Sequence, residues 1–273
     1  MSYAINATAR THPGLKRGNN EDSYHVGNRL IVVADGMGGH EAGEVASAIT
    51  AEHFADIDEH TVDPRLYTTL AAAIDESSKA IAAAVETSPE LAGMGTTATA
   101  ILFGDRRIVV ANVGDSRAYV YQRSRSRLTQ LTSDDSFVQM LVDSGEITAQ
   151  EAHDHPYRSV IVKSVDGSKV KPRFTTLVRM HGDRYLVCSD GLTDYVDIDD
   201  ITTALDLEDI DAAADKLIAL TLAAGAPDNV TVILADIVET AETGQHAPPE
   251  AYPRTEPIKI DHGRYPPTVT QHA

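Results

Sequence analysis

Four clusters of acidic residues, most of them beside glycine, are the part of this chain best suited to chemistry. The first is Arg17-Gly18-Asn19-Asn20-Glu21-Asp22, and the second is Val33-Ala34-Asp35-Gly36-Met37-Gly38-Gly39-His40. The third is Asn112-Val113-Gly114-Asp115-Ser116-Arg117. The fourth is a pair, Ser189-Asp190-Gly191-Leu192-Thr193-Asp194 and Pro227-Asp228-Asn229. A single Asp-Gly is a common turn and carries little weight. The set carries more, because an apolar run leads into the carboxylate at Asp35 (31–34), Asp115 (109–113) and Asp190 (185–188), and Asp228 stands just before another run. If those ends converge, several carboxylates share one small volume and repel unless cations or protons intervene. Oxygen ligands without thiolates favour Mg²⁺ or Mn²⁺ over Zn²⁺. Gly36 adds a backbone carbonyl that a metal can approach without side-chain obstruction.

The elements that must position these groups can be read from periodicity. Residues 3–10 alternate as a strand, and 30–34 is a short β-branched run ending at a turn. Helical spacing over 41–58 places Ala42, Val45, Ala46, Ile49 and Phe54 inward; over 66–85 it does the same for Leu70, Ile74, Ile81 and Val85. Strands follow at 96–103, 108–113 and 118–122, then an irregular stretch over 134–164 with two short helical patterns. Strands at 174–178 and 184–188, a helix at 212–223 and a closing strand at 230–238 complete the series. Strands, then helices, then strands joined by short turns predict a layered α+β fold with largely antiparallel sheets. Residues 1–239 form one domain on this reading. Residues 240–273, rich in proline and histidine, lack the apolar periodicity to offset ordering entropy and are expected to be a disordered tail. His246, His262 and His272 there are not at ligand spacing.

Composition narrows the function classes. A net charge of −18 disfavours nucleic acid and anionic membranes as partners. Cys188 is the one cysteine, which excludes an internal disulfide; its apolar setting makes it a core residue. No apolar stretch reaches the ~20 residues of a membrane helix, and the first residues do not read as a signal peptide, so a cytoplasmic location is expected.

The same motifs carry a resemblance. Gly-Asn-Asn-Glu-Asp (18–22), Val-Ala-Asp-Gly-Met-Gly-Gly-His (33–40), Gly-Met-Gly-Thr-Thr (93–97), Val-Gly-Asp-Ser-Arg (113–117), Ser-Asp-Gly-Leu-Thr-Asp (189–194) and Asp-Asn-Val-Thr (228–231) occur in the order seen in the metal-dependent protein phosphatases of type 2C, the PPM family, and look like its compact bacterial members. The resemblance spans about residues 3–238. It implies a four-layer α-β-β-α sandwich, two mostly antiparallel sheets flanked by helices, with a dinuclear Mn²⁺ or Mg²⁺ site at one end. It further implies that Asp35 bridges the two metals, that the Gly36 carbonyl, Asp190 and Asp228 are direct ligands, and that Glu21 and Asp22 act through water. Asp115 with Asp190 matches the ligands of a third metal found in bacterial relatives, and Ser159 in the flap-like irregular segment is a weaker match there. Arg17 corresponds to the arginine that grips the substrate phosphate, a task its planar fork of donors suits.

The activity so implied is hydrolysis of phosphoserine and phosphothreonine in proteins by a metal-activated water, reversing a bacterial Ser/Thr kinase, by a monomer. Two departures stand out. Met37 occupies the place where animal relatives carry a histidine given a general-acid role, which leaves His40 and water as proton donors. Asp134-Asp135-Ser136 stands where bacterial relatives commonly read Asp-His-Ser. A silent regulatory binding module of the same family is the alternative, against which the retention of Asp35, Asp190 and Asp228 counts. An acidic calcium-loop protein lacks its Asp-x-Asp-x-Asp-Gly pattern here, and a phosphate-loop nucleotide hydrolase lacks its glycine-lysine signature.

Overall fold

The computed structural model describes residues 2–39, 42–58 and 65–240. Eleven strands and seven α-helices are found among them: β1 (Ser2–His12), β2 (Asp22–Val26), β3 (Leu30–Met37), α1 (Ala42–Asp58), α2 (Leu66–Thr87), β4 (Gly95–Thr96), β5 (Ala98–Phe103), β6 (Arg107–Val113), β7 (Arg117–Gln122), β8 (Arg127–Gln130), α3 (Phe137–Ser144), α4 (Ala149–His153), β9 (Arg173–Val178), β10 (Asp183–Cys188), α5 (Asp190–Thr193), α6 (Ile198–Leu205), α7 (Ile210–Ala223) and β11 (Val230–Thr240).

The strands form two sheets. One has the order β1-β11-β10-β7-β8; the other has β2-β3-β5-β6-β9, with β4 against β3. Every strand pairing is antiparallel. Alternation along each strand sorts its side chains into separate cores. Ile31, Val33, Ile101, Val110, Tyr185, Val187 and Ile233 meet between the sheets. Leu30, Val32, Leu102 and Val109 turn the other way, onto Phe54, Leu70, Ile74 and Ile81 of α1 and α2. Leu186, Cys188, Val232 and Leu234 face Ile201, Leu205, Ala213 and Leu217 of α6 and α7. Both faces of the central strands are therefore dry, which is why 30–34 and 185–188 are unbroken apolar runs rather than alternating ones. The result is an α-β-β-α sandwich.

Several expectations shift in detail. The run 96–103 is two strands, because Thr97 leaves the ladder and its N–H donates to the Asp35 carbonyl at 2.9 Å. Strands β2 and β8 and helices α5 and α6 are not foreseen by periodicity; β2 (Asp-Ser-Tyr-His-Val) and β8 (Arg-Leu-Thr-Gln) are polar edge strands. The closing strand continues to Thr240 because β1 pairs with it over its whole length, from His12↔Val230 to Ser2↔Thr240. Cys188 is fully buried, and burial pushes its thiol up to about 12, as suits a core residue. His40 and the tail over 241–273 lie outside the described residues. No helix among the described residues is long and apolar enough to cross a membrane.

Inter-sheet packing should dominate stability. Ile233→Ala, at a fully buried position, is expected to cost about 2–5 kcal/mol in urea unfolding. Val178→Ala, at an edge-strand position that is 70% exposed, should change stability by less than about 0.5 kcal/mol.

Candidate active site

One end of the sandwich collects the acidic residues from both sheets. In the second sheet Asp35 lies near the end of β3, and its register partner is Asp22, the first residue of β2. β6 ends at Val113, two residues before Asp115. In the first sheet β10 ends at Cys188 and the chain turns through Ser189 into α5 at Asp190. Asp228 and Asn229 precede β11. Ser189 joins the two sheets here: its hydroxyl donates to Asp22 Oδ2 at 2.8 Å and accepts from the Thr231 N–H at 2.9 Å.

Small polar residues hold these ends in place. Asn229 is a clamp. Its Oδ1 accepts from the Glu21 N–H at 2.8 Å, and its Nδ2 donates to the carbonyls of Pro13 and Asn19 at 3.0 and 2.8 Å. The loop carrying Arg17, Glu21 and Asp22 is thereby tied to the start of β11. Thr97 serves Asp35 similarly, its hydroxyl accepting from the Asp35 N–H at 2.9 Å. The Gly36 N–H donates to the Glu21 carbonyl at 3.1 Å, and a β-carbon at residue 36 would collide with the Gly43 carbonyl and stand 2.5 Å from Glu21 O. Only glycine allows that close approach of three backbones.

The electrostatics are those of a site built to hold positive charge. Burial first, and then the charges of Asp22, Asp190, Asp115 and Asp228, hold the Asp35 carboxyl well above the usual carboxylate range. Asp190 is raised well above it by burial, then by Asp115, Asp194, Asp228 and Asp22. Both keep some surface open to solvent, but the protein around them strips away most of their water. Burial pushes Asp22 up to about 6 against hydrogen bonds from Thr231 and Ser189, and pushes Asp115 up to about 7 with help from Asp134. Asp22 Oδ1 and Asp115 Oδ1 are buried without a hydrogen-bond partner. Arg17 reaches the cluster from the rim: Nη2 donates to Asp228 Oδ2 at 2.9 Å while about half of the side chain faces solvent.

These features fit divalent cations. Orphaned carboxylate oxygens, carboxylates that raise one another, and the side-chain-free backbone at Gly36 make a hard, anionic oxygen donor set. Among the described residues no three His, Cys, Asp or Glu side chains are gathered tightly enough to form a ready-made cage. Mg²⁺ and related ions do not require one, since they are commonly held by one or two carboxylates plus water. Glu21, with Oε1 accepting from Asn19 Nδ2 at 3.1 Å, lies on the Gly36–Gly43 side of the cluster. Asp115 and Asp190 both line a cavity of about 280 Å³, together with Val138, Gln139, His153 and Arg158 from the 136–162 segment. Ser159 lies exposed in the turn over 156–159, and it is the neighbouring Arg158 that lines this cavity and approaches Asp194 at 3.9 Å.

Comparison with known proteins shows the family and the fold. Residues 16–239 match the protein phosphatase 2C family. The chain belongs to that family. It is 47% identical over 239 residues to the serine/threonine protein phosphatase PstP of Mycobacterium tuberculosis, covering 88% of this chain and 46% of that protein. The chain thus matches about half the length of this mycobacterial relative. It is also 35% identical to the serine/threonine phosphatase stp of Listeria welshimeri over 85% of this chain and 96% of that one. A crystal structure of the PstP catalytic domain in complex with two manganese ions superposes with a TM-score of 0.82 at 46% identity, covering 87% of this chain and all of that chain. The fold of the family, two antiparallel sheets flanked by helices, is the fold described here.

Thr97, Ser189 and Asn229 lie inside family motifs, yet spacing alone assigns them no task. The available signal is a small polar residue directly flanking a strand-end carboxylate or its partner strand, where a buried hydrogen bond is needed. Cation dependence follows from the charge cluster. Saturating Mn²⁺ should raise the melting temperature of the wild type by about 5 °C or more. Asp190→Asn, by removing one of the mutually repelling carboxylates, should raise the metal-free melting temperature by about 3 °C and shrink the Mn²⁺-induced rise. A metal-free variant that melts below the wild type would contradict the repulsion argument.

Proposed function

We propose that this protein is a metal-dependent protein serine/threonine phosphatase, hydrolysing phosphoserine and phosphothreonine in protein substrates. The observation that carries the reading is the convergence of Asp22, Asp35, Asp115, Asp190 and Asp228 at one end of the sandwich, with Arg17 at its rim. The catalytic unit is residues 1–239, acting as a monomer in the cytoplasm opposite Ser/Thr kinases and their targets.

In this proposal Asp35, the Gly36 carbonyl, Asp190 and Asp228 hold two Mn²⁺ or Mg²⁺ ions directly, Glu21 and Asp22 orient coordinated water, and Asp115 with Asp190 takes a third. When bound, the cations supply Lewis acidity toward the phosphoryl oxygens and lower the pKa of water near neutral pH. Arg17, whose side chain is half-exposed, uses its guanidinium to seat the phosphate and to stabilise charge on its oxygens as the bond to the serine or threonine oxygen breaks. Its contact with Asp228 aims the fork at the carboxylate cluster, so the phosphate is oriented by the same residue that frames the cation site. Asn229 fixes the loop bearing Arg17, Glu21 and Asp22, keeping that geometry from loosening.

Hydrolysis of a phosphothreonine peptide with Mn²⁺, with Mg²⁺ and with EDTA tests this. Phosphate release that EDTA abolishes and Asp190→Ala lowers by at least about 10³-fold is expected. Arg17→Ala should lower kcat/KM by about 10–100-fold and leave Mn²⁺ binding in calorimetry close to wild type. No release by folded, Mn²⁺-binding wild type would reject the enzyme reading and favour a silent binding module.

A further inference from the structure

Residues 136–162 leave the sandwich as an excursion carrying α3 and α4, and return through a narrow neck. Two backbone hydrogen bonds close it: the Phe137 N–H donates to the Val160 carbonyl and the Val162 N–H to the Asp135 carbonyl, both at 2.8 Å. Ser136 and Ile161 pair as a single bridge between them. So short a ladder, carrying two helices of eight and five residues, opens readily unless something else holds it.

Asp135 supplies the hold. Its carboxylate has no exposed surface, and Oδ1 accepts from Lys163 Nζ at 2.6 Å and from Arg173 Nε at 3.1 Å. Lys163 lies on the returning chain just past the neck, and Arg173 on the edge strand β9, so one oxygen binds the excursion's exit and the sheet edge together. The main chain of the same residue faces the site: the Asp135 N–H donates to the Gly114 carbonyl at 2.9 Å, and the Gly114 N–H donates more distantly to Asp135 Oδ2 at 3.4 Å. Gly114 in turn packs on Thr97, where a β-carbon would stand 2.6 Å from Cγ2, and Thr97 holds the Asp35 N–H. The neighbouring Asp134 is occupied elsewhere, in a two-pronged pair with Arg117 at 2.7–3.1 Å, and does not duplicate the task.

We propose that Asp135 is a positioning residue that locks the 136–162 excursion onto the Asp115 loop, setting the wall that a peptide substrate meets beyond its phosphate. The proposal rests on the phosphatase reading for its kinetic part and on geometry alone for the lock. Val138, Gln139, His153 and Arg158 of the excursion line the same cavity as Asp115 and Asp190. A phosphopeptide extends past the phosphate and touches it; a small aryl phosphate does not. Neutralising Asp135 leaves two cations converging on one uncharged oxygen, so the neck loosens while the sandwich stays intact.

Hydrogen exchange by mass spectrometry and steady-state kinetics on full-length Asp135→Asn test the idea. Exchange over 136–162 should quicken by about tenfold or more, with β3, β5 and β10 protected as in the wild type. The KM for a phosphothreonine peptide should rise about tenfold with kcat within about twofold, and kcat/KM for p-nitrophenyl phosphate should change less than about threefold. Unchanged exchange over 136–162, an equal rise throughout the sandwich, or KM values that move together for both substrates would overturn it. Should Asp135→Asn not fold, Arg173→Gln, on a half-exposed side chain, carries the same test with the same pattern at smaller amplitude. If wild type turns over neither substrate, the phosphatase reading fails and the exchange measurement alone decides the lock.

Discussion

Like charges held close together are the constraint around which this structure is organised. Asp22 and Asp35 are register partners on adjacent strands, and like charges placed directly opposite in a sheet are destabilising. Asp190 and Asp115 add to the repulsion from the neighbouring strand ends. A soft scaffold would relieve that strain by drawing apart. This one resists because β3, β6, β10 and β11, four of the strands that meet at the cluster, are buried on both faces, among three apolar cores. Where the apolar packing stops, Ser189, Thr97 and Asn229 take over with hydrogen bonds that cross from one sheet or loop to another. The site is thus rigid at its floor for reasons that lie well behind it.

The rim is built differently. Arg17 is half-exposed and linked to the floor by one ion pair, and the excursion over 136–162 hangs on a two-bond neck. Rigid floor and adjustable rim suit a division of labour. On the proposed function, the floor fixes charges whose spacing must not change, and the rim is where the sequence around a phosphorylated residue would be met.

Much of this was legible in the sequence, for a physical reason. Strands buried on both faces appear as short unbroken apolar runs, so β3, β6, β10 and β11 and the carboxylates at their ends could be read directly. Edge strands carry no such signal: β2 and β8 are held by pairing with β3 and β7 rather than by two buried faces, and their sequences look like loop. The break at Thr97 was hidden for the opposite reason, since its composition suits a strand while its hydrogen bonds belong to Asp35. The partners of Asp135 were beyond reading, because Lys163 and Arg173 are 28 and 38 residues away and meet it only through the fold.

The pairing of β1 with β11 bears on how the site comes into being. β11 is made last among the described strands, yet it lies inside its sheet, between β1 and β10. The first strand therefore waits for the last. Through the synthesis of more than two hundred residues, β1 has no edge to join, and the loop after it, carrying Arg17, Glu21 and Asp22, has no Asn229 to grip. Such long-range closure slows folding, since loop entropy must be overcome before the contact forms. Assembly in this order couples competence to completion: a nascent chain short of residue 228 lacks a carboxylate of the cluster and the clamp beside it. No translation product that stops before residue 229 holds the whole constellation, so the site is among the last features of the fold to be completed.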